Sequence, residues 1–337
     1  MSEGATNPGA EDAPLGDDSV LPFQLDALDL RGRVARLDRT LDRILTQHRY
    51  PPSVCALLGE ATLLAAMIGQ AMKLRYKFSI QAKGEGPVSL IAADYRPGEG
   101  GVGPAEMRAY AQFDPEATPE TMDDPYSLLG EGLFAMTIDQ GPRMTPYQGL
   151  TPLVAGGLTA CAETYFAQSE QIATRFTTAI GQAAEPGGAR RWRAGGVMLQ
   201  HLAEFGESAQ AEAEKRGPSG EDGLMTAQDV ADLGDQSEAW NRANILLDTA
   251  EEIELIGPHV TPERLLVRLF HEETPRVYPA QAITFGCSCS REKVSDLLSK
   301  YPENAVREMT TEDGDITADC QFCGAQYRFA LDEVIAV

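Results

Sequence analysis

Four cysteines near the C-terminus, Cys287 and Cys289 as C-x-C and Cys320 and Cys323 as C-x-x-C, have the residue type and spacing to hold one metal ion. Each short loop offers two sulfurs, and the thirty residues between the pairs let them meet from opposite sides. The result is a tetrahedral thiolate shell of the kind zinc occupies. Gly324 directly follows the second pair, where a glycine permits a tight turn with its N–H aimed at a bound sulfur. With only Ser288 between them, Cys287 and Cys289 could form a disulfide only in a small, strained ring, more easily reduced than a structural bridge. A zinc-type ligand set with a labile bond inside it reads as a switch. A metal-free pair of disulfides is the alternative chemistry of the same four residues.

Composition sets the surroundings of that chemistry. The first twenty residues carry Glu3, Glu11, Asp12, Asp17 and Asp18 with no Lys or Arg and no apolar run, so residues 1–20 are expected to be a disordered acidic tail and not a secretory signal. The most apolar stretch, Val54 to Met72, is interrupted by Glu60 and Gln70 and reads as a buried helix, not a membrane span. A cytoplasmic location follows as the expectation, and there the paired cysteines rest as thiolates. Cys55 and Cys161 lie alone in apolar helical runs and read as buried, inert thiols.

The formal net charge of −23 argues against nucleic acid as a partner, because residues 287–337 themselves hold ten Asp/Glu against five Lys/Arg. Enzyme signatures are equally poor. Gly98, Gly100 and Gly103 match G-x-G-x-x-G, but Pro104 follows and no helix opens there, so an exposed turn is predicted. His271-Glu272-Glu273 lacks the second histidine of a zinc-protease motif, since position 275 is Pro275. His48, His201 and His259 stand isolated, and no nucleophile elbow or phosphate loop is present.

The elements that must position the cysteines divide the chain of 337 residues into four parts. Residues 21–202 read as an α+β core domain, a mixed α/β unit with a mostly antiparallel sheet. In it Asp38 is the expected N-cap of a helix bearing Leu41, Ile44, Leu45 and His48, and a second helix covers 53–72. Strands are predicted at 74–81 by strict alternation, then at 88–92, 107–113, 133–138, 176–180 and 197–202, with a helix at 158–169. Residues 203–284 form an acidic helical linker; its first part, 203–258, has fourteen Asp/Glu against three Lys/Arg. Ala239, Ala243, Leu246, Ala250 and Ile253 recur at helical steps and are expected to line one face. A better specified helix follows, with Thr261 as N-cap, Pro262 at its first position, and Leu265, Leu266, Leu269 and Phe270 on one side. Residues 285–337 form a small zinc-binding, redox-switch domain, with Ser290 capping a helix that carries Val294, Leu297 and Leu298 and a hairpin turn at 312–315.

These residues resemble the 33-kDa heat-shock chaperone family of redox-regulated holdases. The resemblance rests on the cysteine spacing, on Leu265-Leu266-Val267-Arg268-Leu269-Phe270-His271-Glu272-Glu273 with Tyr278, and on Gly195-Gly196-Val197-Met198-Leu199-Gln200. Tyr147-Gln148-Gly149, Tyr165-Phe166, Ser169-Glu170-Gln171 with Thr174, and His48 to Pro51 extend it over residues 21–337. Ala173 departs from it where proline is expected, and the tail and the stretch Gly217 to Gly223 look like additions. The resemblance implies an ATP-independent chaperone that binds unfolded client proteins under oxidative stress and is inactive when reduced and zinc-bound. It further implies that oxidation forms Cys287–Cys289 and Cys320–Cys323 disulfides, releases zinc and converts a monomer to a homodimer. On that reading the linker unfolds and offers Leu246, Ile253, Leu265, Leu269 and Phe270 to clients, with no enzyme activity, nucleic acid or membrane involved. A constitutive structural zinc module and a thiol oxidoreductase using Cys320 and Cys323 are the rival readings.

Overall fold

The computed structural model describes residues 17–101, 103–184, 188–201, 238–311 and 313–335. The fold begins with a hairpin, β1 (Ser19–Leu25) and β2 (Leu30–Leu37), that turns through Asp29 at φ 49°. In β2, Leu30 and Val34 face one way and Ala35 and Leu37 the other, both sets buried, so the strand lies between two apolar layers. Helices α1 (Arg39–Thr46) and α2 (Pro52–Ala71) follow, the second opened by Pro52 at its first turn.

Strands β3 (Lys77–Gly84), β4 (Val88–Arg96), β5 (Ala105–Phe113), β6 (Gly132–Asp139) and β7 (Tyr147–Pro152) pair antiparallel in the order β7-β6-β3-β4-β5. The strand expected at 74–81 pairs only from Lys77. Helix α3 (Leu158–Tyr165) ends in a π-helical turn, Phe166–Glu170, and leads to β8 (Thr174–Ala184) and β9 (Arg190–His201). The second half of the sheet has the order β1-β2-β9-β8. All of this bears out an α+β fold with a mostly antiparallel sheet.

Among its described residues, 238–284, the segment expected to be a helical linker is only partly helical. A helix α4 spans residues 238–247, α5 spans Glu252–Ile256, and α6 spans Pro262–Phe270. Thr261 caps α6 as expected, its hydroxyl accepting from Arg264 N at 3.3 Å. Beyond α6, β10 (Arg276–Val277) pairs with β1, and β11 (Gln281–Phe285) enters the sheet between the two halves, antiparallel to β1 and parallel to β5. Residues 281–284, expected in the linker, are therefore the seam of the sheet. Its short apolar run, Ala282, Ile283 and Phe285, had no alternation long enough to mark a strand.

The sheet separates two apolar layers. On one side α2 packs with Val20, Leu37, Phe78, Met107 and Met198; on the other α4, α5 and α6 place Ala243, Leu247, Leu255, Leu265, Leu269 and Phe270 against Phe23, Leu25, Val34, Val197 and Leu199. Among the described residues α2 is the helix long and apolar enough to cross a bilayer, and 78% of its apolar window is buried inside the protein, as a core helix requires. Cys55 and Cys161 are buried with it, and burial pushes the Cys55 thiol up to about 12.

The tail does not extend to residue 20: Asp18 accepts backbone N–H bonds from Asp38 and Thr40, and Asp17 pairs with Arg193 and Arg36. Asp18 thus caps α1, while Asp38, the expected cap, turns to Arg191 and Arg193. The stripe through Ile253 is broken, because α4 ends at residue 247 and α5 restarts at Glu252 with a capping box between Glu251 and Glu254. The restart resets the helical phase, so Leu255 faces the sheet and Ile253 is 59% exposed. Residues 1–16, Leu202 and the Gly217 to Gly223 stretch lie outside the described residues.

Candidate metal centre

Strand β11 delivers the first cysteine pair. Its last residue, Phe285, pairs with Met107, and Gly286 N–H still donates to Met107 O at 3.0 Å, so Cys287 emerges beside β5. A Cβ at Gly286 would lie 2.7 Å from Glu106 Cβ, an approach that only glycine allows without a shift of β5 or β11. Ser290 then caps α7 (Arg291–Leu298), accepting from Lys293 N at 3.3 Å as expected. Leu298 is buried, whereas Leu297, expected beside it, is exposed.

The second pair sits in the turn of a hairpin. After α8 (Glu303–Glu308), Thr311 N–H donates to Asp315 O and Gly314, at φ 82°, closes the predicted turn; Glu312 lies outside the described residues. Strands β12 (Asp315–Asp319) and β13 (Gln326–Ala330) pair antiparallel and hold Cys320 and Cys323 between them. Helix α9 (Leu331–Ile335) closes the unit. Gly324 adopts φ 66° as a tight turn requires, but its N–H donates to Cys320 O at 2.8 Å and not to a sulfur. The unit has a small core of its own, Leu298, Val306, Ile316, Phe329 and Val334.

The four Sγ atoms converge to within 4.8 Å of one another. Cys287 and Cys320 are 3.7 Å apart and Cys289 and Cys323 3.3 Å. Four sulfurs about 2.3 Å from one ion in a tetrahedron stand roughly 3.8 Å apart, so the set fits a thiolate-bound metal. The side chains around it favour thiolate at one position. The Tyr327 hydroxyl donates to Cys289 Sγ at 3.1 Å. Burial opposes ionisation of Cys289, yet the hydrogen bonds from Tyr327 and its sulfur neighbours win and bring it down to about 7. Burial pushes the thiols of Cys320 and Cys323 up instead.

Three residues at the centre carried no signal in the sequence. Arg108 on β5 donates to Cys287 Sγ at 3.8 Å, Asp94 on β4 holds Arg108, and Tyr110 meets Phe322 edge-on with ring centroids 4.6 Å apart. Nothing in local spacing links a β5 arginine to a cysteine 179 positions away. Phe322 could have been noticed, since it is the apolar residue inside the C-x-x-C loop.

The expected client-contact residues are not together at the metal centre. Leu265, Leu269 and Phe270 are buried against the sheet, Leu246 is half-buried beside them, and Ile253 is exposed. The glycines at 98–103 form the expected exposed turn, with Gly100, Gly101 and Gly103 at positive φ.

The family model described as "Hsp33 protein" matches residues 18–330. The chain is 38% identical over 324 residues to the 33 kDa chaperonin of Caulobacter vibrioides (strain NA1000 / CB15N), covering 95% of this chain and 97% of that protein. It is 32% identical over 314 residues to the 33 kDa chaperonin of Ectopseudomonas mendocina (strain ymp), covering 93% and 92%. The crystal structure of the 33 kDa chaperonin (heat shock protein 33 homolog) from Thermotoga maritima superposes with a TM-score of 0.67 at 19% identity, over 94% of this chain and 96% of that one, and shows the same fold.

Proposed function

Because this chain belongs to the Hsp33 family, whose members here are named chaperonins, we propose that it is a redox-regulated, ATP-independent holdase for unfolded client proteins. One observation carries the reading: the four converging sulfurs stand at the end of β11, the strand that leads out of the linker helices and joins the two halves of the sheet. Zinc, when bound, would supply about 10–16 kcal/mol of folding free energy to a unit whose own core is small.

In the reduced chain Cys287, Cys289, Cys320 and Cys323 are the ligands, and α4–α6 cover the sheet. One peroxide for each pair, Cys287 with Cys289 and Cys320 with Cys323, takes two electrons as the S–S bond forms and its O–O bond breaks, and leaves as two waters after accepting two protons from solvent. The thiolates are then no longer available as ligands, the hairpin loses its cross-link, and β11 loses the anchored end that follows it. Helices α4–α6 are held by apolar contacts, by hydrogen bonds from Arg36 and Arg193 to the carbonyls of Glu254, Leu255 and Ile256, and by exposed ion pairs such as Arg175–Asp248 and Arg242–Glu272, each ion pair worth little. Their detachment uncovers Phe23, Val34, Val197 and Leu199 on the sheet and Leu246, Leu265, Leu269 and Phe270 on the linker, an apolar surface suited to unfolded chains. Ile253 is already exposed and adds to it.

The reading includes a cytoplasmic location, no nucleic-acid or membrane partner, and a reduced monomer that dimerises when oxidised. A thiol oxidoreductase is disfavoured because Cys320 and Cys323 lie in a strand-to-strand turn, not at a helix N-terminus that would activate the first thiol. The test is suppression of light scattering from a thermally unfolding client by the reduced zinc-loaded chain and by the peroxide-treated chain. Suppression by the oxidised form alone is expected; equal suppression by the reduced form would overturn the switch.

A further inference from the structure

One side chain touches both cysteine loops. Arg108 Nη1 donates to Cys287 Sγ at 3.8 Å, and the guanidinium carbon stands 3.9 Å above the ring of Phe322, between Cys320 and Cys323. Its orientation is fixed from the sheet: Nε and Nη2 donate to Asp94 Oδ2 at 2.9 and 2.7 Å, directly across the β4–β5 pair. Asp94 is held in turn by the Ser79 hydroxyl at 2.6 Å and by Lys77 at 3.5 Å, and only 8% of its side chain is exposed. Tyr110, two residues along β5, meets the same Phe322 ring edge-on.

We propose that Arg108 is the positioning residue that docks the cysteine unit onto the sheet and thereby sets the rate at which its sulfurs meet peroxide. The inference rests on the redox-switch reading and adds the residue that controls it. A guanidinium is suited to the task because its fork grips a carboxylate, its remaining N–H reaches the sulfur and its flat face covers a ring; an ammonium cannot do all three. With the unit docked, Arg108 stands against Cys287 Sγ and blocks one direction of approach to it. The contact also differs between the two states. A thiolate attracts Nη1, and a disulfide sulfur carries no charge to do so, so oxidation weakens the dock. That differential interaction is what a coupled element must have.

The experiment uses the reduced, zinc-loaded full chain and the variants Arg108→Lys, Phe322→Leu and the double variant. Thiol loss under peroxide is followed by quenched alkylation and mass spectrometry, and hydrogen exchange is measured over 286–290 and 320–325. Phe322→Leu leaves the Asp94–Arg108 pair intact, so it reports on docking even where the arginine variant destabilises the sheet. Both single variants should lose thiols several-fold faster with raised exchange in these segments, keep one zinc per chain when reduced, and be no slower than the double variant by more than the error. Rates equal to or below that of the unsubstituted chain in both single variants would overturn the inference. If the unsubstituted chain itself shows no peroxide-driven thiol loss, it is the switch reading that fails, and the inference with it.

Discussion

Gly286 donates its backbone N–H to Met107 O at 3.0 Å, one residue before Cys287 on one strand and one residue before Arg108 on the other. That single bond carries the parallel pairing of β11 and β5 into the metal centre, so the cysteines begin where the sheet seam ends. A valine at Gly286 should break the relationship, because even a Cβ would sit 2.7 Å from Glu106 Cβ. The expected cost is about 1–3 kcal/mol in urea denaturation of the reduced chain, with faster exchange at residues 281–287. Unchanged stability would mean that β11 does not anchor the cysteine unit.

Removing the metal should unfold the unit and spare the sheet. A strong chelator added to the reduced chain is expected to abolish exchange protection over 315–330, part of a unit whose core is five buried side chains, while β8 and β9 stay protected. Protection of β12 and β13 without metal would show that the core suffices alone.

Oxidation should select one of three possible pairings of the four cysteines. The expected products are Cys287–Cys289 and Cys320–Cys323, read by digestion and mass spectrometry of the peroxide-treated chain. The folded arrangement also brings Cys287 to Cys320 and Cys289 to Cys323, so crossed disulfides would indicate that oxidation precedes any opening of the hairpin and would contradict the vicinal scheme.

Linker docking can be attacked without touching a cysteine. The carbonyls of Glu254, Leu255 and Ile256 accept from Arg36 and Arg193, two buried arginines of β2 and β9. Gly195 lies beneath them, and a Cβ there would stand 1.8 Å from Leu255 O. Gly195→Ala should therefore push α5 off the sheet at a cost of about 1–3 kcal/mol. The expected result is measurable suppression of client aggregation by the reduced protein; none would mean that α5 does not cover the client surface.

A pH effect of defined sign comes from Glu60 on α2, which accepts from Thr159 N at 3.0 Å. Burial raises its carboxyl above the usual 4.5, the hydrogen bonds opposing only in part. The folded chain therefore holds this proton more tightly than the unfolded chain, and stability falls as pH rises from 4.5 through the folded value. Glu60→Gln should remove that fall while keeping an oxygen for Thr159. Parallel stability curves for the two proteins from pH 4.5 upward would contradict the assignment.

Local chemistry was legible in the sequence, and long-range pairing was not. Cys287, Cys289, Cys320 and Cys323 announced their site by spacing, and Thr261 and Ser290 announced their helices by capping. Strand β2 was missed because Arg31, Arg33 and Arg36 sit in it; Arg36 is 1% exposed, an arginine at a core position whose partners, Asp17 and α5, are distant in sequence. The edge strand β7 was missed because its side chains are mostly exposed and show no apolar face. Arg108 could not be foreseen for the same reason as β11: each acquires its role only through a parallel pairing between segments far apart in the chain.

On the proposed switch, the state of the four cysteines decides whether α4–α6 remain on the sheet. Hydrogen exchange over residues 239–270, compared between the reduced zinc-loaded chain and the peroxide-oxidised chain, tests it most directly. These amides are expected to lose protection on oxidation while those of β9, residues 190–201, keep theirs. Equal protection of residues 239–270 in the two redox states would contradict it.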